Sequence, residues 1–98
     1  EQRLYLHAAA VFANNFCNHL LGISQDITAK KTLPFSLLKP IIKETFERSF
    51  ATSATDVQTG PAKRHDVTTQ AKHLDLLSPE ETALYKALSQ SIFKKHNT

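Results

Sequence analysis

The sequence predicts an all-α fold, a small bundle of four to five helices, on three grounds. Leu4 to Gln25 is a stretch of 22 residues without one Asp, Glu, Lys or Arg, and its apolar side chains recur at helical spacing. Only two Gly and four Pro punctuate 98 residues, and no stretch alternates cleanly between apolar and polar over five or more residues, as a half-buried strand would. Ser78-Pro79-Glu80-Glu81 is a complete helix-start signal: a capping serine, a proline at the first helical position and a glutamate placed to close a capping box. The length fits one domain over residues 1–98, with a modest core that a partner surface would enlarge.

Helix one is predicted from about Arg3 to Thr28. At about 100° per residue, Tyr5, Ala9, Phe12, Phe16, Leu20, Ile23 and Ile27 share one face. Arg3, His7, Val11, Asn14, Asn15, Asn18, Gly22 and Gln25 share the opposite one. The run is too polar to span a membrane and too charge-poor for a solvated surface helix, so it reads as surrounded by protein on most sides. Its intrinsic propensity drops at Asn14-Asn15, where tertiary contacts must hold it. Lys30 and Lys31 suit the negative end of the helix dipole.

Thr32 to Phe35 reads as a loop or first turn. Pro40 marks the start of the second helix, since proline is tolerated only in the first turn. Its apolar stripe is Leu38, Ile41, Ile42, Thr45, Phe46, Ser49 and Phe50, and Glu44 and Arg48 form an i,i+4 pair in the favourable order. The helix ends near Ala51 to Ala54. Thr55 to Asp66 has no periodicity, and Gly60-Pro61 breaks any regular structure there. Asp66 is the N-cap of a short third helix from Val67 to about Leu74. The fourth helix follows Ser78, with Leu84, Leu88, Ser91 and Ile92 on one side and Lys94 and Lys95 in its last turn.

Composition excludes several functions. The net charge of +3 comes from basic residues spread along the chain, most beside acidic ones, and not from the dense stripe of a nucleic-acid binder. The single Cys17 cannot form an internal disulfide and reads as a buried structural thiol, which fits a reducing, cytoplasmic compartment. No signal peptide, transmembrane run or lipidation motif is present, so no membrane is expected. The absence of Met leads to the expectation that the chain is a piece of a longer one, with a processed or recoded start as the alternative. The five histidines have no ligand spacing, so no metal is expected. Without a glycine-rich phosphate loop, nucleophile elbow or paired carboxylates, the chain alone does not carry out a full reaction.

Two polar groups remain. The stripe on helix one is either a helix–helix interface whose His and Asn side chains satisfy one another, or a ligand-facing surface. In the second case His7 and Asn15, two turns apart and about 12 Å along the axis, bracket a small polar substrate, with His7 as proton donor or acceptor. The loop Thr59 to Asp66 is either a connector capped by Asp66, or a site element in which Gly60 permits close backbone approach and Arg64 meets an anion.

Tyr5 to Phe16, then Leu33-Pro34-Phe35 with Leu38-Lys39-Pro40-Ile41-Ile42, then Thr59-Gly60-Pro61-Ala62 with Arg64 and Asp66 resemble the C-terminal domain of a family of Rossmann-type NADP oxidoreductases. These are described as F420-dependent NADP oxidoreductase-like, or as carrying the DUF2520 domain. They are similar in plan to pyrroline-5-carboxylate reductase and to 6-phosphogluconate dehydrogenase-like enzymes. The resemblance covers nearly the whole chain. It implies a bundle like the 6-phosphogluconate dehydrogenase C-terminal domain that closes over the nicotinamide and pairs with its twin in a homodimer. NADP would be bound mainly by an N-terminal dinucleotide domain outside this sequence. His7, Asn14 and Asn15 match the family's helix motif, and Thr59, Gly60, Pro61, Arg64 and Asp66 match its loop motif. The resemblance makes His7 and Asn15 the catalytic candidates and the other six residues lining of the same cleft. The family often carries Ser at the position of Asn14 and Gly at that of His65.

The leading expectation is therefore the substrate-binding and dimerisation half of an NAD(P)-dependent oxidoreductase acting on a small molecule. The alternative is a non-catalytic helical protein-interaction module using the same polar stripe. A third, a nucleic-acid binder, needs Lys63, Arg64, Lys72 and Lys30–Lys31 on one face. The small core and the neutral helix surface favour a dimer that buries helix one.

Overall fold

Helix one forms where the sequence predicts it, but it is not one regular helix. The computed structural model describes residues 1–97, and among them there is no strand. The chain resolves into two compact units, Glu1–Lys39 and the segment from Pro40 onward.

In the first unit α1 (Gln2–Ala10), a π-helical turn (Val11–Phe16) and α2 (Cys17–Ala29) run on without a break, every junction residue keeping right-handed helical dihedrals. The Glu1 carboxylate caps the start by accepting from the Leu4 N–H at 2.7 Å. A Schellman motif ends the run: the Thr32 N–H donates to the Ala29 carbonyl at 3.1 Å, and the Leu33 N–H to the Thr28 carbonyl at 3.0 Å. Thr32 holds the left-handed position of that motif at φ 55°, where glycine is usual.

The π turn corrects the expected face pattern. A π turn takes roughly one more residue than an α turn, so everything after Phe16 is rotated by about one position relative to everything before Val11. Tyr5 and Ala9 therefore do not continue in a straight stripe through Leu20, Ile23 and Ile27. The expectation that helix one is surrounded by protein also fails within this chain. Leu4, Tyr5 and Leu6 are 67%, 79% and 74% exposed, and every residue of α1 is exposed. Cover begins at Val11, which is half-buried, and grows in α2: Leu21, Ile23 and Ile27 are half-buried, and the 3₁₀ turn Phe35–Leu38 packs on α2. Cys17 is half-buried where full burial was expected, and its thiol donates to the Phe12 carbonyl over 3.8 Å.

In the second unit α3 (Lys39–Ala51) carries Pro40 in its first turn, as its missing N–H requires. The pairs Glu44–Arg48 at 3.7 Å and Lys43–Glu47 at 3.9 Å lie on its surface. Its expected apolar stripe is mostly uncovered: Ile42 and Ser49 are half-buried, while Ile41, Phe46 and Phe50 stay exposed. α4 (Val67–Leu74) starts at the Asp66 cap. α5 (Pro79–His96) starts at a full capping box, with the Glu81 N–H donating to Ser78 Oγ at 3.2 Å and the Ser78 N–H donating to Glu81 Oε1 at 2.9 Å. Among the described residues Ala62, 7% exposed, is the one buried apolar side chain. Helix propensity, capping and turn chemistry set this architecture; burial within the chain contributes little of what a free-standing domain of this size needs.

Candidate functional site

The π turn sets the alignment of the candidate residues on helix one. In an α-helix residues seven apart are nearly in line, and the eighth lies most of a residue's rotation further round. His7 and Asn14 are seven apart, His7 and Asn15 eight. The extra residue that the π turn inserts brings Asn15 into line with His7, with Val11 between them, and swings Asn14 aside. His7, Asn14 and Asn15 are all exposed, and Val11 is half-buried. The Asn14 carbonyl accepts from the Cys17 N–H, and the Phe12 and Phe16 rings meet edge-on with centroids 5.0 Å apart.

The candidate loop residues lie in the second unit, in a segment that is tightly self-bonded. Gly60 sits at φ 105°, a conformation that other residues rarely adopt. Its carbonyl accepts from the Arg64 N–H at 3.4 Å, and the Pro61 carbonyl accepts from the Asp66 N–H at 2.8 Å. Ala62 plugs the inside of the turn, and its carbonyl accepts from the His65 N–H at 3.2 Å. His65 takes φ 55°, the left-handed region, which accounts for a glycine being suited to this position. Here the imidazole is used instead: its ring packs on Phe93 of α5, centroids 4.5 Å apart. Gln70 of α4 ties the loop from the other side, its Nε2 donating to the Pro61 carbonyl at 3.4 Å and the Asp66 carbonyl at 3.3 Å.

Asp66 is engaged on both carboxylate oxygens. Oδ1 accepts from the Thr69 N–H at 3.1 Å, and Oδ2 accepts from the Thr69 hydroxyl at 2.7 Å. The Thr69 hydroxyl, then the Thr69 N–H, and more weakly the charges of Arg64 and Lys72, hold its pKa below the usual carboxylate value despite partial desolvation. Arg64 reaches Asp66 Oδ2 at 3.9 Å and is otherwise exposed. Thr59 is exposed, and its carbonyl accepts from Gln58 Nε2 at 2.9 Å. Asp66 thus fixes the loop and the start of α4 together, while Thr59 and Arg64 present their side chains outward.

Three contributors escape sequence reasoning. The π turn has no period of its own in so short a window. Gln70 and Phe93 meet the loop from four and 27 positions beyond Asp66, and only Gln70, one turn past a predicted cap, could have been anticipated. A groove of about 250 Å³ beneath the loop is lined by His65, Gln70, Tyr85 and Phe93 among others. At its rim the Tyr85 hydroxyl lies 2.7 Å from His73 Nδ1. Burial, with a smaller push from Asp66, raises the Tyr85 pKa above its usual value, so the phenol stays protonated. Among the described residues no three His, Cys, Asp or Glu side chains gather to hold a metal ion, and no helix is long and apolar enough to cross a membrane.

A crystal structure described as a "putative NADP oxidoreductase" from Bacteroides fragilis superposes with a TM-score of 0.91 at 39% identity, over 95% of this chain and 37% of that one. The chain thus spans little more than a third of that protein's length. No curated protein matches. The model of the family described as "Domain of unknown function (DUF2520)" matches residues 1–92, and the chain belongs to that family.

Proposed function

We propose that this chain is the substrate-binding and dimerisation domain of an NAD(P)-dependent, cytoplasmic oxidoreductase that moves a hydride to or from a small metabolite. The observation that carries this reading is the 39% identical solved structure described as a "putative NADP oxidoreductase", whose likeness runs through 95% of this chain. The residues here do not fit the phosphates of a dinucleotide. The two glycines stand 38 positions apart, in α2 and in the Thr-Gly-Pro loop, and make no phosphate-cradling turn. On this reading the cofactor would be held mainly by a dinucleotide domain outside this chain and, when bound, would donate or accept the hydride.

What this chain supplies is placement and proton handling. His7 presents an exposed imidazole, a group that can give or take the proton at an oxygen or nitrogen whose attached carbon exchanges the hydride. Asn15, in line with it, offers both a donor and an acceptor to hold the reacting group. Asn14 in the first unit, and Thr59, Gly60, Pro61 and Arg64 in the second, are the further candidates for substrate or cofactor contact, with Asp66 holding the loop in shape. A second copy of the chain covers the exposed apolar side chains of α1.

The test is made on the intact protein. NADPH should bind with micromolar or tighter affinity by calorimetry. His7→Ala and Asn15→Ala should leave that affinity nearly unchanged and cut turnover of a substrate found by screening, by about 100-fold or more for His7. Unchanged turnover in both variants removes the site assignment. A folded protein that ignores NADPH removes the oxidoreductase reading in favour of a helical protein-interaction module, which the exposed Leu4, Tyr5 and Leu6 would also serve.

A further inference from the structure

α3 carries two ion pairs of i,i+4 spacing, and of these only Glu44–Arg48 lines a hollow; Lys43–Glu47 does not. Glu44 and Arg48 stand with Ile41 and Ser49 on one face of the helix, because residues three, four and seven apart line up. The chain after the helix turns back over that face. Val57 and Thr59 form the opposite wall of a hollow of about 230 Å³. This wall is held by its own backbone: the Asp56 and Val57 N–H groups donate to the Ser53 carbonyl at 3.0 and 3.3 Å, and the Gln58 N–H donates to the Thr55 carbonyl at 3.3 Å. Both walls belong to the second unit.

The ion pair in the hollow is loose. Arg48 Nη1 and Glu44 Oε1 are 3.7 Å apart, too far for a hydrogen bond, and both side chains are more than half exposed, so each keeps capacity for another partner. Asp56 sits in the covering turn without lining the hollow, so Glu44 and Arg48 are the two charges that a ligand there meets. A lone carboxylate is drawn by Arg48 and repelled by Glu44, and a lone amine meets the reverse. A molecule with an ammonium and a carboxylate on one carbon escapes this conflict. Laid across the pair, it closes a ring of four alternating charges in which every neighbour attracts. The hydroxyls of Ser49 and Thr59 add hydrogen-bonding groups, and Ile41 and Val57 offer cover to a short apolar side chain. The volume is below the roughly 300–1,000 Å³ of pockets for drug-sized ligands and suits a small metabolite.

We propose that this hollow between α3 and the segment 54–59 binds a small aliphatic α-amino acid as its zwitterion, with the carboxylate on Arg48, the ammonium on Glu44 and the side chain against Ile41 and Val57. The inference stands on the second unit and goes beyond the hydride-transfer reading without resting on it.

The experiment uses three compounds of one carbon skeleton: L-valine, isovalerate, which lacks the ammonium, and isobutylamine, which lacks the carboxylate. On the intact protein with labelled isoleucine and valine methyl groups, L-valine should shift the Ile41 and Val57 signals saturably at millimolar concentration, and the two single-charge compounds should need about tenfold more. Arg48→Gln and Glu44→Gln should each weaken the L-valine response about tenfold and invert the preference. Isovalerate should bind Glu44→Gln more tightly than it binds wild type, and isobutylamine should do the same with Arg48→Gln. Lys43→Gln, which breaks the other ion pair of the helix, should leave all three responses unchanged. The three-compound comparison on wild type decides the matter if a variant does not fold. Equal responses to the three compounds, no saturable shift up to about 50 mM L-valine, or a full L-valine response in both Arg48→Gln and Glu44→Gln overturns the proposal. NADPH binding, measured in parallel, tests the hydride-transfer reading alone.

Discussion

Single residues in this chain take on conformations that sequence patterns do not announce. Thr32 is the sharpest case: a β-branched side chain at φ 55°, held because its N–H and that of Leu33 close a Schellman motif. A left-handed L-residue costs roughly 1–2 kcal/mol, and glycine returns part of the gain through its larger unfolded-state entropy. Thr32→Gly should therefore stabilise the protein by about 0.5–1 kcal/mol in urea unfolding; a loss of stability would mean that the threonine methyl or hydroxyl makes a contact that outweighs the strain. Asp66 makes the complementary case for charge. Its folded pKa lies below the ordinary 3.8, chiefly because Thr69 donates twice to the ionised form. The stabilisation from Asp66 is thus fully present above pH 3.8 and is lost as pH falls through the lower folded value. Asp66→Asn, which keeps one cap acceptor but cannot ionise, should be less stable than wild type at pH 6 and converge with it in acid. Parallel stability curves across that range would show that the charge is not what Thr69 stabilises.

At the scale of elements, capping chemistry was legible and helix phase was not. Ser78-Pro79-Glu80-Glu81 fixed the start of α5 to the residue, and Asp66 did the same for α4, because a cap is a local hydrogen bond between residues three apart. Ser78→Ala removes the acceptor for the Glu81 N–H and half of the box, and should cost about 1 kcal/mol, read as a lower urea midpoint at constant slope. An unchanged midpoint would show α5 to be held by its packing alone. Helix one shows the converse. Its limits, about Arg3 to Thr28, fall within one residue of the observed ends, yet its two faces were drawn on a uniform α period. The π turn shifts the phase midway, and nothing in Val-Phe-Ala-Asn-Asn-Phe distinguishes a π turn from a weak α turn. The same shift aligns His7 with Asn15, so the pairing of those residues by sequence reasoning depends on a feature that it did not contain. The Thr-Gly-Pro loop was readable as a breaker with a cap, whereas its ties to Gln70 and Phe93 depend on how α4 and α5 return to it.

At the scale of the whole molecule the dominant fact is how little of its apolar surface this chain covers. Leu6 and Phe12 are 74% and 71% exposed, within the Leu4–Gln25 stretch that has no Asp, Glu, Lys or Arg to keep it in water. Scattered exposed hydrophobes are ordinary; a 22-residue helical stretch without an acidic or basic side chain that carries several of them is the signature of an interface. A stable dimer buries about 800 Å² on each partner, which such a helix can supply through its aromatic and leucine side chains. Leu6→Glu separates the alternatives cleanly. In a monomer the substitution replaces an exposed side chain by an exposed carboxylate and should change stability by no more than about 0.5 kcal/mol. In a dimer that buries α1 it places a charge in the interface without a partner, and the complex should dissociate. The intact wild-type protein should scatter light as a dimer at micromolar concentration, and Leu6→Glu should halve the measured mass while lowering the unfolding midpoint. A wild-type mass that stays monomeric across a hundredfold range of concentration would leave α1 facing another part of the polypeptide or a different partner.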